Sequence, residues 1–212
     1  MSKPIEFYYW PTPNGWKISV MLEELGLPYE LKLVHIGQDE QFEPAFLEVS
    51  PNNKIPAIRD FDGPGGAPVT VFESGAILIY LAEKTGKFYA DDPRRRIQIH
   101  EWLCWQVGGL GPMAGQAHHF RHFAKEKIPY AIRRYTEEVE RLYDVMDTRL
   151  EGRDWLVDDY SIADIACIGW INAHERQGQD LDEFPNLKAW YQRMLARPAV
   201  QRGLELNLKL RK

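Results

Sequence analysis

Ser50-Pro51-Asn52-Asn53-Lys54-Ile55-Pro56 leads directly into a short apolar run, Ala57-Ile58-Arg59-Asp60-Phe61, and a second run ends in Phe72-Glu73-Ser74-Gly75, which opens a helix. Proline has no amide hydrogen to give to a sheet, so Pro56 immediately before a strand predicts a tight turn with a cis Ile55–Pro56 bond. Such a turn leaves the N–H and C=O of Ile55 open to an extended, peptide-like ligand that lies alongside as an edge strand would. Glu73 and Ser74 place a carboxylate, a hydroxyl and bare helix N-terminal amides beside that turn. The carboxylate suits an ammonium, and the amides suit a carboxylate. Together they fit the zwitterionic end of an α-amino acid.

Toward the N-terminus, Ile5-Glu6-Phe7-Tyr8-Tyr9 alternates and reads as a strand. Pro11-Thr12-Pro13-Asn14-Gly15 is a loop. The helix that follows carries Ile18, Met21, Leu22 and Leu25 on one face and stops at Gly26. Residues 29–34 predict a second strand and 41–49 a short helix. Beyond the turn, Gly63-Pro64-Gly65-Gly66 joins a hairpin, and a helix covers 74–84. The order is βαβαββα, a thioredoxin-like α/β domain expected over residues 1–87, with a right-handed parallel unit at its front.

After Gly86 the strand patterns stop. Residues 93–212 predict an all-α helical bundle in which Pro93, Pro129, Pro185 and Pro198 each open a helix, where the missing amide hydrogen removes no bond. Tyr135, Val139, Leu142, Tyr143, Met146 and Leu150 form one apolar stripe. Ser161-Ile162-Ala163-Asp164 has the form of a capping box, with Tyr160 and Ile165 placed for a hydrophobic staple. The segment from Ile165 to Ile171 is apolar nearly all round and should be the buried centre of this domain. Gly108-Gly109-Leu110-Gly111-Pro112 follows no strand and precedes no G-K-[ST], so it is not a phosphate loop. It predicts a break in a long helix, where missing side chains make room for a second substrate.

The formal net charge of −5 over 212 residues offers no basic field for nucleic acid. No apolar run reaches membrane-spanning length, and Met1-Ser2-Lys3-Pro4-Ile5-Glu6 lacks the apolar stretch of a signal peptide. Cys104 and Cys167 lie far apart in apolar helical stretches and predict two buried thiols, neither a redox pair nor a disulfide framework. These features describe a soluble, cytoplasmic protein of a reducing compartment. His118 and His122 have i, i+4 spacing, but no H-E-x-x-H or acidic partner accompanies them, so no metal is expected.

In a thioredoxin-like domain the reactive group sits after the first strand, where the first helix's unpaired amides and dipole stabilise a thiolate. This loop contains no cysteine, so a thiolate there must belong to the ligand. A small peptide with both an α-amino-acid end and a peptide backbone is glutathione. The candidates to face its sulfur are the Thr12 hydroxyl and N–H, the Asn14 side-chain amide, and the N–H groups of Asn14 and Gly15. Tyr8 and Tyr9 compete, one pointing into the core and the other away from it.

N-x-K-I-P-A-I over residues 52–58, followed by F-E-S-G-A-I-L-I-Y-L over 72–81, is similar to the glutathione-binding half of the glutathione transferase family. The resemblance extends through Pro-Thr-Pro-Asn-Gly, residues 105–113, Gln116, residues 118–120 and residues 129–132. Those segments resemble the nu class, the bacterial glutathione-dependent disulfide-bond oxidoreductases related to the globular part of a yeast nitrogen-regulation prion protein. The resemblance implies a homodimer that reduces small disulfides, with weak conjugating and peroxidase activities. It also implies two glutathione thiols, or oxidised glutathione, in each site. By position it implies Thr12 and Asn14 at the sulfurs, Gln41, Lys54 and Ile55 on the glycyl and cysteinyl parts, and Glu73 and Ser74 on the γ-glutamyl end. Arg134 would reach in from the neighbouring subunit. A conjugating transferase for electrophiles is the alternative enzyme. A weakly catalytic glutathione-binding regulatory protein is a third reading, disfavoured by the absence of a long Asn/Gln-rich tail.

Overall fold

β1 (Ile5–Tyr9) is an inner strand of a four-stranded mixed sheet in the computed structural model, which describes residues 3–206. It pairs in parallel with β2 (Tyr29–Leu33) and antiparallel with β3 (Ala57–Asp60). β3 pairs antiparallel with β4 (Val69–Phe72), which gives the order β2-β1-β3-β4. Alternation along β1 buries Ile5, Phe7 and Tyr9. Ile18, Met21 and Leu22 of α1 (Pro13–Leu25) and Ile77, Leu78 and Leu81 of α3 (Ser74–Thr85) are buried as well. Each such side chain contributes about 1.5–3 kcal/mol of transfer free energy, so this core holds the first unit together.

The ends of these helices follow local chemistry. Thr12 caps α1 by accepting from the Gly15 amide at 3.1 Å, and Gly26 ends it with a left-handed φ of 65°. The helix expected over 41–49 is instead divided. A 3₁₀ turn covers Glu40–Phe42, and a single turn, α2, covers Pro44–Leu47. Pro44 forces extended backbone on Glu43 (φ −63°, ψ 136°), which ends the first piece before the second starts.

By packing, the described residues form two units, 3–86 together with 198–206, and 87–197. The sequence pattern groups the C-terminal stretch with the bundle. α10 (Pro198–Glu205) packs on α1 instead: Ser19 Oγ donates to Gly203 O at 2.8 Å, and Arg202 pairs with Glu23 at 2.7 Å. A Cβ on Gly203 would stand 2.6 Å from Val20 Cα, so only glycine allows this approach.

The second unit contains α4 (Pro93–Trp105), α5 (Gly111–His118), α6 (Pro129–Leu150), α7 (Ile162–Ile171), α8 (His174–Gln177) and α9 (Pro185–Leu195). Proline takes the first position of α4, α6, α9 and α10, as the sequence predicts. The α6 stripe from Val139 to Leu150 is buried, and Tyr135 is half-buried, stacked on Phe120 at 5.5 Å. Every residue of α7 is buried. Its capping box is complete: Ser161 Oγ accepts from Ala163 N, and the Asp164 carboxylate accepts from Ser161 N at 3.1 Å.

Two expectations fail here. The glycine run does not break the helix. Residues Gln106–Leu110 form one widened π turn between α4 and α5, and Gly111 keeps right-handed helical backbone. A Cβ on Gly111 would stand 2.9 Å from Gln106 Nε2 and 3.2 Å from the Trp170 indole nitrogen. The missing side chain at Gly111 therefore lets Trp170 of α7 close in. Cys104 is exposed, whereas Cys167 is buried as expected. Ile99 and Leu103 carry the buried face of α4. Cys104 follows Leu103 by one residue, about 100° round the helix, and so faces outward. No helix of the described residues is long and apolar enough to cross a membrane.

Candidate functional site

A cleft of about 220 Å³ opens in the first unit between Asn14, the 50–56 turn and the start of α3. Its lining brings together Asn14, Lys54, Ile55, Glu73 and Ser74, five of the residues that the sequence singles out, with Ser50, Asn52, Pro56 and Phe72. The Ile55–Pro56 bond is cis, as predicted. Ser50 is buried and donates to the Lys54 carbonyl at 2.8 Å, and Asn53 N donates to Ser50 O at 2.9 Å. These bonds fix the turn from within. Ile55 enters no turn or capping hydrogen bond among the described residues, so its backbone remains an open edge facing the cleft.

α3 starts abruptly. Its N-cap, Glu73, has φ 70° and ψ 117°, a conformation that L side chains rarely adopt, and provides no side-chain cap. The Glu73 carboxylate turns outward and accepts from Asn52 Nδ2 at 3.3 Å. The first turn of α3 carries no acidic residue. Its N-terminal amides therefore keep their capacity for an anionic group. Lys54 is exposed and makes no ion pair among the described residues.

At the start of α1 the structure narrows the donor set. Thr12 N–H donates to Trp10 O at 2.8 Å, and Gly15 N–H is held by Thr12 Oγ1. Two of the three backbone donors proposed from the sequence are thus engaged, Thr12 N–H by the preceding turn and Gly15 N–H by the helix cap. Asn14 borders the cleft, and Thr12 does not.

The tyrosines separate as strand alternation requires. Tyr9 is fully buried, its ring against Gly15, and burial raises its hydroxyl pKa far above the ordinary value. Tyr8 faces a different hollow of about 490 Å³ with Lys32, Glu43, Phe46 and Arg59, and its hydroxyl donates to Glu6 at 3.2 Å. Burial and the Glu6 carboxylate push the Tyr8 pKa up as well. Neither phenol lines the cleft beside Asn14.

Gln41 is absent from the cleft lining. It sits in the 3₁₀ turn before α2, its Nε2 3.4 Å from Asp39 and its Oε1 buried without a partner. Arg134 is exposed on α6, in the other unit. Among the described residues no group of three or more His, Cys, Asp or Glu side chains is placed to hold a metal ion. The His118 and His122 rings meet edge to face at 5.4 Å, and burial holds His118 below the usual imidazole value.

Sequence reasoning missed Lys17. It is 1% exposed, and its Nζ lies 3.2 Å from Ser74 Oγ. A signal was present: Lys17 stands three residues after Asn14 and four before Met21, on the buried face of α1. Asn52 and Ser50 were missed as positioning groups for the same turn.

Residues 12–84 match the family of glutathione S-transferase N-terminal domains, and residues 112–198 match that of the C-terminal domains. The chain is 54% identical over 202 residues to the disulfide-bond oxidoreductase YfcG of Escherichia coli strain K12, covering 94% of each chain. A solved glutathione transferase from Pseudomonas putida, with one glutathione disulfide bound per subunit, superposes with a TM-score of 0.90 at 46% identity, over 96% of this chain and 91% of that one. One from Burkholderia graminis, with two glutathione molecules bound per subunit, superposes with a TM-score of 0.90 at 46% identity, over 95% and 88%. The chain belongs to the glutathione S-transferase family.

Proposed function

We propose that this protein is a glutathione-dependent disulfide-bond oxidoreductase whose reacting sulfurs all belong to its ligands. The observation that carries the reading is a cleft without a thiol. Asn14, the open Ile55 backbone, Glu73 and the bare N-terminus of α3 converge there, in a chain 54% identical to a disulfide-bond oxidoreductase. The γ-glutamyl ammonium goes to Glu73 and its carboxylate to Ser74 and the α3 amides. The cysteinyl backbone pairs with Ile55, and Lys54 meets the glycyl carboxylate. The sulfur then lies toward Asn14 and Thr12 at the positive end of α1.

Ionisation of the bound thiol is the protein's main chemical contribution. The thiolate attacks one sulfur of the substrate disulfide and displaces the other as a thiolate, which leaves a mixed disulfide. A second glutathione thiolate attacks the glutathione sulfur of that mixed disulfide and releases the remaining substrate thiolate. Two glutathione molecules are oxidised to one glutathione disulfide, one substrate disulfide is reduced to two thiols, and the two thiol protons pass to the products. The chemistry needs a reduced glutathione pool, which places the protein's action in the cytoplasm. We assign it a homodimeric assembly in which Arg134 of one subunit faces the other subunit's cleft. Gln41 would meet the glycyl end only if the 3₁₀ turn that carries it moves toward the ligand.

A side-by-side assay with a small symmetric disulfide and an aromatic halide tests this reading. Disulfide reduction should exceed conjugation by orders of magnitude, and the reverse would make the protein a conjugating transferase. The double variant Cys104→Ala, Cys167→Ala should retain turnover within about threefold, under 1 kcal/mol of barrier. A loss beyond tenfold would mean that a protein thiol takes part.

Thr12→Ala and Asn14→Ala should each lower disulfide reduction about three- to tenfold, since other donors and the helix dipole remain. Part of the Thr12 effect will appear as a lower melting temperature, because that side chain also caps α1. Tyr8→Phe and Tyr9→Phe should stay within about threefold. Bound-thiolate absorbance followed against pH separates the cases. A raised thiol pKa confined to a phenylalanine variant would assign the sulfur to a tyrosine.

A further inference from the structure

The ammonium of Lys17 reaches from α1 to the first residue of α3, with Nζ 3.2 Å from Ser74 Oγ. An ammonium can only donate, so the serine oxygen is the acceptor in this bond. The hydroxyl's own hydrogen therefore points away from the lysine. Ser74 makes no other side-chain hydrogen bond among the described residues, and it borders the cleft. A hydroxyl that accepts from a cation is a stronger donor on its other side. Burial at 1% exposure also removes most of the solvent screening from the lysine charge.

We propose that Lys17 is a positioning residue: it fixes Ser74 as a hydrogen-bond donor and makes this end of the cleft selective for ligands that end in a free carboxylate. The inference rests on reading the cleft as the γ-glutamyl site. A carboxylate oxygen accepting from Ser74 at about 2.7 Å stands within about 6 Å of the lysine nitrogen, close enough for direct attraction across a poorly screened path. A ligand without that carboxylate leaves the Ser74 donor and the α3 amides without an acceptor, and gains nothing from the charge. Glu73 is the counterpart for the ammonium, so the two charged groups of the amino-acid end are read by adjacent residues at the same helix start.

The test is calorimetric titration of the wild type, Lys17→Met and Lys17→Arg with glutathione and with its analogue lacking only the γ-glutamyl α-carboxylate, 4-aminobutanoyl-cysteinylglycine. Lys17→Met should weaken glutathione five- to tenfold and change binding of the analogue less than twofold. Lys17→Arg should recover most of the glutathione affinity. In steady state, the KM for glutathione should rise in Lys17→Met while kcat holds within twofold. Equal losses for both ligands, or no loss for either, overturn the proposal. A wild type that does not bind glutathione at all overturns the reading of the cleft instead. If thermal melting shows that Lys17→Met does not fold, Lys17→Gln removes the charge while keeping a side chain long enough to reach Ser74. It must then show the same selective loss, and an unselective one rejects the proposal.

Discussion

Asp164→Ala should lower the free energy of unfolding at pH 7 by about 3–5 kcal/mol, the range for breaking a buried polar network from one side. Asp164 is fully buried at the start of α7 and accepts from Leu156 N, Ser161 N, Ser161 Oγ and Trp190 Nε1 at 2.9–3.3 Å. Alanine leaves those donors in a dry interior, where each costs about 1–3 kcal/mol unless water enters. Asp164→Asn should cost less, because one amide oxygen still serves Leu156 and Trp190 while its NH₂ faces the Ser161 amide. The pH dependence gives a second readout. Burial outweighs the donors and pushes the Asp164 carboxyl from 3.8 up to about 6. A folded pKa above the unfolded one means that this group's contribution is complete below about pH 4 and is lost as pH rises through 6. Wild-type stability should carry that downward slope, and Asp164→Asn should not. Chemical denaturation at pH 4, 5, 6 and 7 measures both effects. An Asp164→Ala loss under 1 kcal/mol would show that α7 does not depend on its cap.

What the sequence made legible is chemistry with a short reach along the chain. Pro56 before a strand, Gly26 and Gly86 after helices, Ser161 three residues before Asp164, and proline at helix starts each act on neighbours within one turn. Each stands where the pattern placed it. The turn and the start of α3 were legible as one site only because two such local patterns also resemble a family. What the sequence hid depends on contacts between distant segments. The amphipathic pattern of α10 shows that it must cover something apolar, but does not distinguish α1 from the bundle. A single-sequence period of 3.6 cannot register a π turn, so Gly111 reads as a gap when it is the contact face for Trp170. Cys104 sits in an apolar stretch, yet lies off the face that Ile99 and Leu103 define. The donors at the α1 N-terminus were overcounted because a cap residue satisfies helix amides before any ligand arrives.

Glu73→Ala should raise the glutathione dissociation constant by about ten- to a hundredfold, the equivalent of losing one charge-assisted contact of about 1.5–3 kcal/mol. Glu73 is exposed, its carboxylate accepting from Asn52 among the described residues, so this energy arises when the ligand covers it. The backbone at Glu73 supplies a control that the side-chain argument alone lacks. At φ 70° a residue with a Cβ is strained, and glycine is not. Glu73→Gly should therefore lose as much glutathione affinity as Glu73→Ala while melting at a higher temperature than the wild type. That pairing would mean the strained N-cap is retained for ligand binding, since the fold itself is better served without it. Calorimetry and thermal melting on the three proteins give the answer. Unchanged affinity in Glu73→Ala would reduce Glu73 to a helix boundary. A glycine variant that binds like the wild type would move recognition of the ammonium from the carboxylate to the backbone around it.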